Sequence, residues 1–219
     1  MSELVLPFFD RRDAGTQLAR RLEHLRDGKN VLVLGLLRGG AEIGRTLADA
    51  LGLPLHPYAV RKIGHPANPE FAIGAIAQGG GTFLDEVFMQ AESITFEELE
   101  PVIEEELREL RRRKEIFAEA PVPLRGKHII LTDDGAATGA TMFAAIEDMR
   151  AAGVGRITVA LPVAAPDTAE RLRGLADETT ILATPSPFLA VGQWYVFFPQ
   201  LTDRDIRALL RHKPPKRTR

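Results

Sequence analysis

Ile129-Ile130-Leu131-Thr132-Asp133-Asp134-Gly135-Ala136-Ala137-Thr138-Gly139-Ala140-Thr141 reads as a buried strand, two adjacent carboxylates, and a loop of small and hydroxyl residues. The loop runs straight into a helical pattern, with Met142, Ile146 and Met149 on one face and Gly153 as the stop. At a helix N-terminus the first backbone N–H groups have no partner within the helix, and the helix dipole favours negative charge there. Small residues let a phosphate approach the backbone closely, and Thr138 and Thr141 can add hydroxyl donors. Asp133 and Asp134 stand where they could accept hydrogen bonds from a diol beside that phosphate. A sugar phosphate carries both groups. The plainer alternative is an ordinary strand-to-helix turn with acids at its mouth, which has no need of Thr-Gly-Ala-Thr.

Working outward, the spacing predicts a first helix over 13–27, striped by Ala14, Leu18, Leu22 and Leu25 and ended by Gly28. Val31 to Leu36 is a continuous apolar run, hence a buried strand. Leu37-Arg38-Gly39-Gly40 is the turn, Ala41 to Leu51 the next helix, and Leu55 to Val60 a second strand. Gly64, Pro66 and Pro69 mark a loop, and Phe71 to Ala77 pairs as a hairpin with Thr82-Phe83-Leu84 across three glycines. Thr95 caps a long charged helix with glutamates in its first turn and Arg111 to Lys114 near its end. Its apolar edge runs through Val102, Ile103, Leu107, Leu110 and Phe117, and the basic run is read as a solvated face paired with preceding glutamates. After the quoted stretch come a strand over 156–163, a helix over 166–175, a strand over 179–183, an aromatic segment with Phe188, Trp194, Tyr195, Phe197 and Phe198, and a helix over 203–210. Helices and strands alternating in this way imply parallel pairing with crossovers, an α/β fold with a central, mostly parallel sheet flanked by helices.

The 219 residues are read as a single domain over 1–211, with a core over about 10–183, a helical insertion over about 92–118, and a basic tail over 212–219 expected to be mobile. A net charge of -2 and a pI near 6.2 give no sign of a nucleic-acid or membrane partner. No apolar run is long enough to span a bilayer and the N-terminus lacks a signal-peptide pattern, so the expected compartment is the cytoplasm. The absence of cysteine excludes disulfides and thiolate metal sites. Asn occurs only at Asn30 and Asn68, and few Asn with no Cys fits heat adaptation, while the 22 Arg against six Lys fits a GC-rich genome equally well.

The turn at Gly35-Leu36-Leu37-Arg38-Gly39-Gly40 lies at the carboxyl end of the first strand, the edge where open α/β sheets bind ligands. It lacks the G-x-G-x-x-G fingerprint. It nearly spells a nucleoside-triphosphate loop, but Ala41 and Glu42 take the Lys and Ser/Thr places. Arg61 and Lys62 are read as the end of the second strand on the same edge. Neighbouring strand residues face opposite ways, so at most one of them points at a ligand.

The stretch from Ile129 to Thr141 resembles the 5-phosphoribosyl-1-diphosphate (PRPP) binding motif of the type I phosphoribosyltransferases: four apolar places, one of them filled here by Thr132, then two acids and a short loop. The segments Arg61 to Ala75 and Pro187 to Tyr195 look like a subgroup of predicted phosphoribosyltransferases, and that likeness covers most of the chain. The resemblance implies transfer of a ribose 5-phosphate group from PRPP to a nitrogenous base, with release of pyrophosphate. It gives Asp133 and Asp134 the ribose hydroxyls, and Ala136, Ala137, Thr138, Gly139, Ala140 and Thr141 the 5-phosphate. Leu37, Arg38, Gly39 and Gly40, with Arg61 or Lys62, take the pyrophosphate. Mg²⁺ is the implied cofactor, held mainly through PRPP. A hood over about 184–202 would select the base, with Trp194 either stacked on it or packed into the hood. The partners implied are PRPP and a nucleobase-like molecule, with room for a homodimer. Two rival readings are a PRPP-sensing regulator without transfer activity and a sugar-phosphate phosphohydrolase.

Overall fold

The computed structural model describes residues 6–116 and 122–211. In chain order they form α1 (Arg11–Arg21), β1 (Val31–Leu36), α2 (Gly39–Leu51), β2 (Leu55–Tyr58), β3 (Val60–His65), β4 (Asn68–Ala77), β5 (Thr82–Leu84), α3 (Glu86–Ala91), α4 (Phe96–Ile116) and β6 (His128–Thr132). Then follow α5 (Ala140–Ala151), β7 (Arg156–Val163), α6 (Pro166–Leu175), β8 (Glu178–Ala183) and α7 (Asp203–Arg211). By their contacts these elements group into two compact units: Met1–Pro57, Lys127–Thr138 and Gly155–Arg219 in one, Tyr58–Gly126 and Gly139–Val154 in the other.

Unit one is built on a five-stranded sheet of order β2-β1-β6-β7-β8, with β1–β6, β6–β7 and β7–β8 all parallel. Parallel neighbours need long crossovers, and the helical runs between strands supply them. The expected central parallel sheet flanked by helices is therefore present. Leu18 and Leu22 beside α1's C-terminus, Ile43, Leu47 and Leu51 of α2, Val33 of β1 and Ile130 of β6 share one fully buried cluster. Each such side chain contributes roughly 1.5–3 kcal/mol relative to exposure. Asp10 caps α1 by accepting the Asp13 N–H, so that helix starts two residues earlier than its apolar stripe suggests. It ends at Arg21, and a short 3-10 turn over Glu23–Leu25 replaces its expected last turn. Gly52 takes the left-handed conformation that closes α2.

Unit two carries an antiparallel sheet of order β3-β4-β5, with α5 packed on all three strands and α4 on β3 and β4. The β4–β5 hairpin lies where the alternation placed it. The loop expected around Gly64, Pro66 and Pro69 is instead the β3–β4 hairpin, whose register shifts at Ile63/Gly64 and Gly64/His65. A Cβ on Gly64 would lie 2.5 Å from the Pro69 carbonyl oxygen, so this glycine marks a bulge where two backbones meet rather than a loop. The second strand also divides: β2 stays in the parallel sheet, and Val60 onward belongs to the antiparallel one. Six-residue α3, capped by Asp85 at the Phe88 N–H, is too short to show a helical period and went unforeseen. Thr95 and Glu98 form a reciprocal capping box at α4, with Thr95 N–H to Glu98 Oε2 at 2.8 Å and Glu98 N–H to Thr95 Oγ1 at 3.3 Å. Arg112 pairs with Glu109 as the charge pattern implied. Phe117 and the tail over 212–219 lie outside the described residues.

Within this unit the buried Asp148 carboxylate on α5 accepts the Tyr58 hydroxyl and the N–H groups of Gly79, at 2.8 Å, and Gly81, at 3.2 Å. It thereby pins the β4–β5 turn to the helix. Burial, and then the bond to Asp148, push the Tyr58 phenol above its usual range.

Candidate functional site

In unit one, β1 and β6 run in register from Val31↔His128 to Gly35↔Thr132, so Leu36 and Asp133 leave the sheet side by side at its carboxyl edge. The turn after β1 holds a cis peptide between Leu37 and Arg38, and Arg38 is exposed. Gly39 and Gly40 are already the first residues of α2. A Cβ on Gly39 would collide with the Asp134 carboxylate. One on Gly40 would overlap the Thr132 carbonyl oxygen and lie 2.9 Å from the Asp133 Cα. Two glycines thus let the turn sit directly against the acid pair.

The acid pair is held firmly. The Asp133 side chain accepts the Asp134 N–H at 2.9 Å. Asp134 Oδ2 accepts from Arg11 Nε at 2.9 Å, and the Tyr195 hydroxyl donates to the Asp134 carbonyl at 2.6 Å. Arg11 is only 5% exposed. It also donates from Nη1 to the Pro199 carbonyl at 2.9 Å, and its guanidinium carbon lies 3.8 Å over the Phe198 ring. Glu42, in the first turn of α2, faces Arg11 Nη1 at 3.8 Å and Arg12 Nε at 3.7 Å. Burial raises the Glu42 carboxyl above its ordinary value against the pull of both arginines. Burial, followed by the Asp134 charge, likewise raises the Tyr195 phenol. Neither Arg11 nor Tyr195 was expected here. Arg11 lies 123 residues before Asp134, and an Arg-Arg pair entering a helix looks like surface. The one available hint was a basic residue close to a helix start, where the dipole disfavours it.

The loop after the acids is anchored at one end and open beyond. Gly135 has Val191 and Val163 side chains 2.7 and 2.9 Å from where its Cβ would stand. Ala136 N–H donates to Val163 O at 3.0 Å, Ala165 N–H to Ala136 O at 2.9 Å, and the Thr168 hydroxyl to Ala137 O at 2.5 Å. Ala137 and Thr138 are exposed. Gly139, the first residue of the chain's return to unit two, has φ of 76°, and no side chain caps α5 where it begins at Ala140. Thr141 is half-buried in the first turn of that helix. The left-handed backbone at Gly139 is one a β-branched residue resists.

Arg61 and Lys62 are the second and third residues of β3, in the antiparallel sheet of unit two, and not the end of a strand in the parallel sheet. Arg61 Nε is ion-paired with Glu106 of α4 at 2.5 Å, and Lys62 is exposed. Trp194 packs against the unit-one core, 6.0 Å from the Phe188 ring, and its indole N–H is buried with no hydrogen-bond partner among the described residues. Among the described residues no three His, Asp or Glu side chains converge to hold a metal, and no helix is long and apolar enough to cross a membrane.

The sequence pattern of the phosphoribosyl transferase domain matches residues 12–186, and the chain belongs to that family. It is 42% identical over 205 residues to proteins named "Putative phosphoribosyl transferase" in two strains of Mycobacterium tuberculosis. The match covers 93% of this chain and 46% of each of those proteins, so the chain spans about half the length of these curated relatives. A Thermus thermophilus protein of known crystal structure is similar at 38% identity and a TM-score of 0.75, over 93% of this chain and 97% of that one.

Proposed function

We propose that the chain transfers a ribose 5-phosphate group from PRPP to a nitrogenous base and releases pyrophosphate. The observation that carries this reading is the junction at the ends of β1 and β6, where Gly39 and Gly40 bring a turn into contact with two carboxylates, and small residues follow. In the reaction the bond from ribose C1 to pyrophosphate breaks, positive charge builds on the ring, and a base nitrogen bonds to C1. Asp133 and Asp134 hold the 2- and 3-hydroxyls and favour that charge, the kind of fixed electrostatic stabilisation that serves catalysis best. The loop Ala136 to Thr141 holds the 5-phosphate through the backbone N–H groups beyond Ala136, whose own N–H is taken by the Val163 carbonyl, and through the hydroxyls of Thr138 and Thr141. Leu37 to Gly40 hold the pyrophosphate. With Arg61 engaged by Glu106, Lys62 is the basic side chain proposed to assist.

Mg²⁺ suits this donor set, because a hard cation that keeps its waters needs few protein oxygens beside those of the phosphates. Mg²⁺ would be held mainly through PRPP, with Asp133 or Asp134 as the carboxylate that accepts from one of its waters. When bound, Mg²⁺ neutralises charge on the departing pyrophosphate. Trp194 is proposed to support the base-binding segment. The reading implies a cytoplasmic enzyme and leaves room for a homodimer.

Calorimetry tests the proposal directly. PRPP should bind only weakly without Mg²⁺ and tightly with it, and pyrophosphate should appear when PRPP is supplied with a mixture of purine and pyrimidine bases. No PRPP binding in the presence of Mg²⁺ would falsify the reading, and pyrophosphate release independent of any base would point to hydrolysis instead.

A further inference from the structure

Arg11 spends a planar, always-charged group on three different partners at once: the Asp134 carboxylate, the Pro199 carbonyl and the Phe198 ring. Its neighbours close a circuit. Phe198 stacks on Tyr195 at 4.8 Å between centroids, and Tyr195 returns through its hydroxyl to the Asp134 carbonyl. Asp134 is therefore gripped at its side chain by α1 and at its backbone by the segment after β8, and the two grips meet where Arg11 lies over Phe198. The same segment is tied to the chain before α1, since Phe8 N–H donates to Trp194 O and Val196 N–H to Phe8 O, both at 2.8 Å. A buried guanidinium needs its partners in place, so a change at any of them must be felt at the others.

We infer that Arg11 is a positioning residue that fixes the Asp134 carboxylate and couples it to the aromatic segment 194–199, so that a sugar phosphate bound at the acid pair alters the surroundings of Trp194. This rests on the proposal that PRPP is the ligand. Arg11 touches no reacting atom. It sets the direction of the carboxylate and passes the state of that carboxylate to the segment carrying the aromatic rings. Lysine could replace the charge but not the fork, because one ammonium cannot donate along the line to Asp134, reach the Pro199 carbonyl and lie flat on a ring together.

Trp194 is the one tryptophan of the chain, so its emission reports on that segment without a label. Wild type, Arg11→Lys and Phe198→Leu are titrated with PRPP and Mg²⁺, following emission and calorimetric heat in parallel, with circular dichroism to show which variants are folded. The expected result is an emission change in wild type that saturates with the heat, and its loss in the folded variants while PRPP still binds. An unchanged emission response in either folded variant overturns the inference, as does a wild type that binds PRPP with no emission change. A wild type that binds no PRPP overturns the proposed function as well. A purely structural Arg11 would lower melting and affinity together and leave the remaining emission response proportional to binding.

Discussion

Gly39 has no room for a methyl group, because its Cβ would occupy the place of the Asp134 carboxylate. Gly39→Ala should push Asp134 off Arg11, lower melting by the roughly 1–3 kcal/mol of an overpacked site, and weaken PRPP binding at least tenfold in calorimetry. Asp134→Asn should do more than slow turnover. Its position at a strand end suggests little role in stability, but it removes the charge that offsets a buried arginine. Breaking a buried pair costs about 3–5 kcal/mol, and Glu42 near Arg11 keeps the expected loss at the lower end. Thermal melts of Asp133→Asn and Asp134→Asn side by side check this: only the second should fall by that amount. At this scale the acid pair and the two glycines were legible, since their chemistry is written in one continuous stretch each. Arg11 and Tyr195 were not, because a contact spanning 123 or 61 residues leaves no local pattern.

Strands and helices were legible where their period was long. β1, β7, α2 and α6 lie within two residues of their expected bounds, and apart from α1, which ends at Arg21 rather than 27, the misreadings collect in unit two. There Gly64, Pro66 and Pro69 carry the composition of a loop while serving a bulged hairpin, and α3, at six residues, is too short to show a helical period. The start of β6 offers a pH test. His128 is held below its ordinary pKa, by burial first and by the Arg156 charge second, while its Nε2 lies 2.7 Å from Thr158 Oγ1. The folded state then binds fewer protons than the unfolded one, so stability from this group is intact above the unfolded value of about 6.5 and declines as pH falls through and below it. Melting followed from pH 8 to 5 should show that decline in wild type and a shallower one in His128→Asn. Equal slopes would remove His128 as the cause.

For the whole molecule, the α/β class was the easiest feature to foresee, because apolar runs alternating with helical stripes admit few other arrangements. The site was legible only in part. Its acids and loop are contiguous, whereas the basic and aromatic contributions come from residues whose neighbours are decided by folding. PRPP with Mg²⁺ should protect the folded chain by mass action, by about 2.7 kcal/mol at a concentration of 100 times Kd. Scanning calorimetry with and without PRPP measures this, and a melting temperature that stays put at saturating PRPP and Mg²⁺ would contradict it.

The pairing of Val31 with His128 also sets a timetable. Translation at about 5–20 residues per second delivers β6 to its place roughly 5–20 s after β1 has left the ribosome. Throughout that interval the apolar edge of β1 has only β2 beside it, and all of the antiparallel sheet is synthesised in between. The nascent chain therefore has to keep two of the five strands of that sheet waiting, an exposure that a ribosome-bound chaperone would meet.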